Sequence, residues 1–216
     1  MSQLRCASVL AFFAGVALCG CALTSKADAL SPRYFNPQAT ASNPPQRASQ
    51  PYELRLGQIS SASHLDERIS YRVNAAEVGF YEDRRWTELP EAYLRRALEK
   101  QLFEQQGLTR VVTGMAPVLD VELTAFEELR QKPSKVRVTL TFSLRDERRS
   151  LLERTLDLEA PVDESSQLDA PESVAQTLAN TLSRAVEAVG SEVVKRLAQT
   201  PPPVEPALPA SSLPAN

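Results

Sequence analysis

Three cysteines (Cys6, Cys19 and Cys21) and one histidine (His64) are the only thiols and imidazole in this 216-residue chain. That short supply limits the chemistry. His64 has no cysteine partner, so a zinc site of Cys and His type is excluded, and nucleophile–base arrangements reduce to Ser–His64–acid or Ser–Lys forms. His64 lies in Ile59-Ser60-Ser61-Ala62-Ser63-His64-Leu65-Asp66, with no Gly-x-Ser-x-Gly elbow to present a serine, and it reads as an exposed loop residue. Asp120 and Glu122 share a strand face whose other residues are polar too, the ordinary pattern of a solvated face. Glu127 and Glu128 are adjacent and on a strand point opposite ways. The glycines beyond residue 50 are isolated, so no loop cradles phosphate. The pattern assigns no catalytic residue, no cofactor and no metal.

One of the cysteines has a different use. Residues 1–20 carry a single charge, Arg5, then an apolar run from Ala7 to Cys19. A basic start, a short apolar stretch and small residues at its end describe a secretory signal peptide. Thirteen helical residues reach only about 20 Å, short of a ~30 Å hydrocarbon core. The run closes on Leu18-Cys19-Gly20-Cys21, which resembles the bacterial lipobox. That resemblance implies cleavage before Cys21 and attachment of lipid to its thiol and new amine; several acyl chains together make a stable anchor where one does not. Ala22 follows where an aspartate would suggest inner-membrane retention, which points to the outer membrane. With Cys6 and Cys19 removed, the one remaining cysteine carries lipid and no disulfide forms within a monomer.

The prolines mark the arms. Ten of the sixteen fall in 22–50 and 200–216, and neither stretch contains glycine. Residues 21–50 therefore read as a lipidated N-terminus and a proline-containing tether, with Tyr34 and Phe35 as incidental aromatics, and 200–216 as a proline-rich disordered tail. The folded domain is expected over 51–199. The formal net charge of −3 leaves no basic field to hold nucleic acid.

Within 51–199 the apolar residues alternate in several runs. Tyr52, Leu54 and Leu56 predict a first strand; Ile69, Tyr71 and Val73 a second; Val78 to Tyr81 a short third. Leu119–Leu123, Val136–Leu144 and Leu152–Leu158, joined by short polar turns, predict an antiparallel meander with one apolar face. Two segments switch to helical spacing. After Pro90, Tyr93, Leu94, Ala97, Leu98 and Leu102 recur at three and four, and Gly107 stands where a left-handed cap is wanted. From Ala170-Pro171, with Asp169 as candidate cap, Val174, Leu178, Leu182, Val186, Val189, Val193 and Leu197 hold one stripe for seven turns. Gly190 interrupts that helix at a cost of ~1 kcal/mol, which close packing or a bend would explain. The order strands, helix, strands, helix predicts an α+β fold: a mostly antiparallel sheet with two amphipathic helices packed on one face.

The stretch 68–90 holds the only tryptophan, in Phe80-Tyr81-Glu82-Asp83-Arg84-Arg85-Trp86. Trp86 reads first as a partly buried staple at the strand–helix corner. Phe80, Tyr81 and Trp86 are also candidate partner contacts, since such residues are enriched at interface centres. A lipobox, Tyr52-Glu53-Leu54 in the first strand, Ile69-Ser70-Tyr71-Arg72, and then Phe80-Tyr81 with Arg85-Trp86 before a leucine-rich helix together resemble the ABC-type transport auxiliary lipoproteins, the PqiC-like family. The resemblance implies a non-enzymatic, periplasm-facing lipoprotein held to a membrane by its anchor. It would work beside an ABC permease, an ATPase and an MCE-domain protein that move lipids between membranes, and self-association into a homo-oligomeric ring occurs in some members. Two alternatives stand beside it: a lipoprotein that itself binds a lipid or small molecule, and an envelope-assembly or structural lipoprotein.

Overall fold

In the computed structural model, residues 31–37, 52–163 and 170–200 are described. The leader, Cys21, Asp169 and the C-terminal tail lie outside them. The elements in chain order are β1 (Arg33–Phe35), β2 (Glu53–Ser61), β3 (Arg68–Arg72), β4 (Val78–Trp86), helix α1 (Pro90–Glu99) continued by a π-helical segment (Lys100–Gln105), β5 (Thr109–Arg110), β6 (Val118–Leu129), β7 (Lys135–Arg145), β8 (Ser150–Pro161) and helix α2 (Ala170–Gln199).

β7 shows why the sheet forms. Val136, Val138, Leu140, Phe142 and Leu144 are buried, and Arg137, Thr139, Thr141 and Ser143 between them turn to the other, wetter face. β7 pairs antiparallel with β6 on one side and β8 on the other, which is the expected meander. The far edge of β6 holds two strands end to end. β2 runs parallel beside Val118–Leu123, and β3 runs parallel beside Glu127–Leu129. The sheet therefore forks beyond β6: β5 extends it past β2 at one end, β4 and β1 extend it past β3 at the other. The fold is α+β as expected. Antiparallel pairing dominates in the meander, while the parallel pairs join segments too distant in sequence for a local pattern to reveal.

The stripe of α2 is buried from Val174 to Leu197, each Val or Leu contributing about 1.5–3 kcal/mol of apolar burial. α1 packs beside it. A Cβ on Gly190 would lie 2.9 Å from Cγ of Gln101, so it is close packing of α2 on the π-helical segment that calls for glycine there. Gly107, at φ 71°, caps the end of that segment, and the Leu108 amide returns 3.1 Å to the Leu102 carbonyl.

Two expectations need correction. Residues 33–35 lie inside the stretch read as tether, yet they form β1. Phe35 registers with Trp86 and packs against the core, and its carbonyl accepts from the Thr87 amide at 3.0 Å. The folded unit thus begins at Pro32. The third strand also runs past Tyr81 to Trp86. Its charged stretch conceals it because a bulge places the residues from Tyr81 to Arg84 opposite Ile69 alone, between the Ser70–Phe80 and Arg68–Arg85 pairs.

Candidate interaction site

The aromatic run in β4 follows strand geometry, and so it divides. Phe80 registers with Ser70 and lies under the guanidinium of Arg68, 4.3 Å from its ring centre. Tyr81 turns the opposite way, into the core against Tyr71, the two rings 4.9 Å apart edge to face. Trp86 is only 1% exposed, held between Phe126 of β6 at 5.0 Å and Tyr93 of α1 at 6.3 Å. These three residues do not share an exposed patch. The indole of Trp86 is enclosed on both sides, so its packing matches the staple reading and not a partner contact in this conformation. Of the three, Phe80 alone retains a partly open ring.

Tyr81 instead organises a polar cluster at the end of β6. Its hydroxyl donates to Oε2 of Glu128 and accepts from Nε of Arg130 at 3.2 Å, while the Ser134 hydroxyl donates to the other Glu128 oxygen at 2.9 Å. The Arg130 guanidinium lies 3.4 Å from the Tyr71 ring centre and 4.6 Å from that of Tyr81, and the Arg84 guanidinium lies 3.8 Å from the Tyr81 ring centre. Burial pushes the Tyr81 phenol above its ordinary pKa, and the hydrogen bond to Glu128 adds to this. A neutral phenol bonded to a carboxylate with two donors is a satisfied structural network, not a nucleophile. Glu127 points to the opposite face, fully buried, with Nε of Arg72 at 2.6 Å from one oxygen.

The other residues considered for chemistry stay apart. His64 sits half-buried in the turn between β2 and β3, less exposed than expected, and its Nε2 has no hydrogen-bond partner among the described residues. Asp120 accepts from the Gln58 amide at 2.7 Å and from Nε of Arg145 at 2.9 Å, tying β2 to β7 across β6, while Glu122 is exposed. Gly57 is needed beside that contact, since a Cβ there would approach Oδ1 of Asp120 to 2.2 Å. Among the described residues no group of three His, Cys, Asp or Glu side chains is placed to hold a metal ion, and no helix is long and apolar enough to cross a membrane.

One cleft of about 560 Å³ opens between α1 with its π-helical continuation and α2. Tyr93, Ala97, Leu182 and Val186 line it beside the more polar Gln101 and Arg96. Arg96 is engaged by Glu88 at 2.6 Å. The size suits a small ligand, but the polar groups named here are paired or serve the helix contact. Sequence reasoning did not find this cleft, nor the Tyr81–Glu128–Arg130 cluster. The available signal for the cluster was a pair of adjacent glutamates, which breaks the apolar–polar alternation at the end of β6, followed two residues later by arginine.

Comparison with known proteins follows the same lines. A family model described as ABC-type transport auxiliary lipoprotein component matches residues 35–194. The fold is similar to the crystal structure of a protein from Xanthomonas campestris, with a TM-score of 0.66 at 16% identity, covering 77% of this chain and 98% of that one. It is also similar to a second solved protein, with a TM-score of 0.61 at 15% identity, covering 76% and 99%. At such identities these structures show the fold alone. No curated protein sequence matches.

Proposed function

The chain belongs to the family of ABC-type transport auxiliary lipoprotein components, and on that premise we propose that it is a non-catalytic accessory lipoprotein of an ABC/MCE-type system that moves lipid between membranes. The observation that carries the reading is the family match, which spans nearly all of the described fold. In this reading residues 1–20 are a signal peptide and Cys21 is lipidated. The anchor sits in the outer membrane with the domain facing the periplasm. The partners are an ABC permease, its ATPase and an MCE-domain protein. The absence of a reactive constellation among the described residues is compatible with such a role: His64 and the carboxylates that lie near one another in sequence are dispersed over the fold or engaged by arginine and tyrosine.

The anchor and the partnership are tested separately. Cells fed a palmitate analogue should label the wild-type protein and not the Cys21→Ala variant; equal labelling of both removes the anchor. Affinity purification after crosslinking in cells should recover permease and ATPase. The interhelical cleft favours one second reading, a lipoprotein that carries a lipid itself. Stoichiometric ligand in extracts of the purified monomer, found by mass spectrometry, would support that reading against the accessory one.

A further inference from the structure

One buried polar side chain is left without a bond, and it faces the cleft between α1 and α2. Six polar or charged residues among those described are buried: Ser70, Gln101, Glu127, Glu128, Ser173 and Thr181. Five of them hold a side-chain hydrogen bond. Gln101 does not. It is 7% exposed and lines the cleft. Its aliphatic stem serves the helix contact at Gly190, but its amide head has no hydrogen-bond partner among the described residues. A primary amide offers two donors and an acceptor, and a buried one left unmatched is costly. The segment that presents it, Lys100–Gln105, is π-helical, an uncommon conformation that recurs at functional sites.

The walls around that amide say what it meets. Tyr93 and Ala97, four residues apart on α1, continue into Gln101; Ala179, Leu182 and Val186 follow the same spacing on α2. Each set forms a stripe along its helix, so the apolar lining is elongated. From Tyr93 to Gln101 it extends about 12 Å. The charges at the cleft are already engaged: Arg96 is held by Glu88 at 2.6 Å, and Lys100 has a partner as well. Neither cation is left to balance an anionic head group. An elongated apolar lining suits an unbranched hydrocarbon chain. The amide suits a neutral carbonyl, to which its NH2 donates, beside a hydroxyl, from which its oxygen accepts. The volume of about 560 Å³ lies in the range of small-ligand sites.

We infer that this cleft binds a neutral acyl ester, with the chain between Ala97 and Val186 and the ester carbonyl accepting from the Gln101 amide. This rests on the second reading above, that the chain carries a lipid itself, and not on the transporter partnership.

The probe is monodecanoylglycerol, held below its micelle-forming concentration and titrated into the full-length Cys21→Ala chain. The readouts are the Gln101 side-chain amide resonance, identified by its loss in Gln101→Met, and the dissociation constant from equilibrium dialysis. The resonance should shift saturably. Gln101→Met, which keeps the stem, and Ala97→Phe, which fills the cleft, should each weaken binding at least tenfold. The melting temperature of Gln101→Met should be no lower than that of the parent chain, because the amide it removes holds no bond. Wild-type affinity in either variant places the ligand elsewhere and overturns the inference. A lower melting temperature in Gln101→Met marks the amide as structural, and decanoate binding as tightly as the ester marks an anion site; each overturns it too. Ligand found with the purified protein by mass spectrometry, while the titration leaves Gln101 unmoved, keeps the second reading and removes the cleft as its site. Neither co-purifying ligand nor a shift of Gln101 overturns both.

Discussion

The two halves of β6 solve the same problem differently. From Val118 to Leu123, buried leucine and valine alternate with Asp120 and Glu122, and one face stays in contact with water. From Ala125 to Leu129 every residue is buried, two of them glutamates. The first half is held by apolar burial on one side. The second half has both faces covered, so its polar groups must find partners from within: Glu128 is bonded on both oxygens by Tyr81 and Ser134, whereas Arg72 engages only one oxygen of Glu127 and Oε2 is left without a partner among the described residues. A one-sided strand tolerates change on its wet face. A strand covered on both faces is sensitive on each.

The largest expected effect is at the junction of the two regimes. Phe126→Ala removes a ring packed on Trp86 and should destabilise by about 3–5 kcal/mol in urea unfolding. A cost below 1 kcal/mol would mean that the Trp86 corner is loosely packed. Next comes Arg72→Ala, which strands the buried Glu127 carboxylate. A loss of about 3 kcal/mol is expected at pH 7, and replacing Arg72 and Glu127 together by leucine should recover most of it. A double variant as weak as the single one would show that the pair matters for packing rather than for charge.

Tyr81→Phe should cost about 1–2 kcal/mol by removing a donor to Glu128, and it carries a pH signature. Burial raises the Tyr81 phenol in the folded chain. The wild type therefore has this contribution in full below the unfolded phenol value of about 10, and loses it as pH rises from there toward the folded value. The variant should lack that part of the alkaline decline in denaturant titrations, and an identical decline in both proteins would place the titrating group elsewhere. The smallest effect belongs to the wet face beside the first half: Thr141→Ala loses a hydroxyl contact to Thr155 at 3.1 Å and should change stability by less than about 0.5 kcal/mol.

The same contrast explains what could be read in the chain. The meander and the stripe of α2 were legible because one side meets water and the other does not, which writes a period of two or of three and four into the residues. The Gly107 cap was legible because a left-handed residue has few candidates. β1 was not: it is three residues long, flanked by prolines, and only Phe35 turns inward, so nothing local separates it from a tether. The extension of β4 was hidden by its bulge. The parallel placement of β2 and β3 along β6 depends on distant partners. Of the aromatic candidates, Tyr81 and Trp86 are buried and Phe80 is partly open, a division set by strand register and distant partners that no local pattern writes out.

The account's central claim is partnership with a transporter, and one measurement meets it most directly. Full-length tagged protein, crosslinked in cells and purified from membranes, should bring down an ABC permease with its ATPase, and the Cys21→Ala variant should bring down much less of both. Recovery of a different envelope machine, with neither permease nor ATPase present, would contradict it.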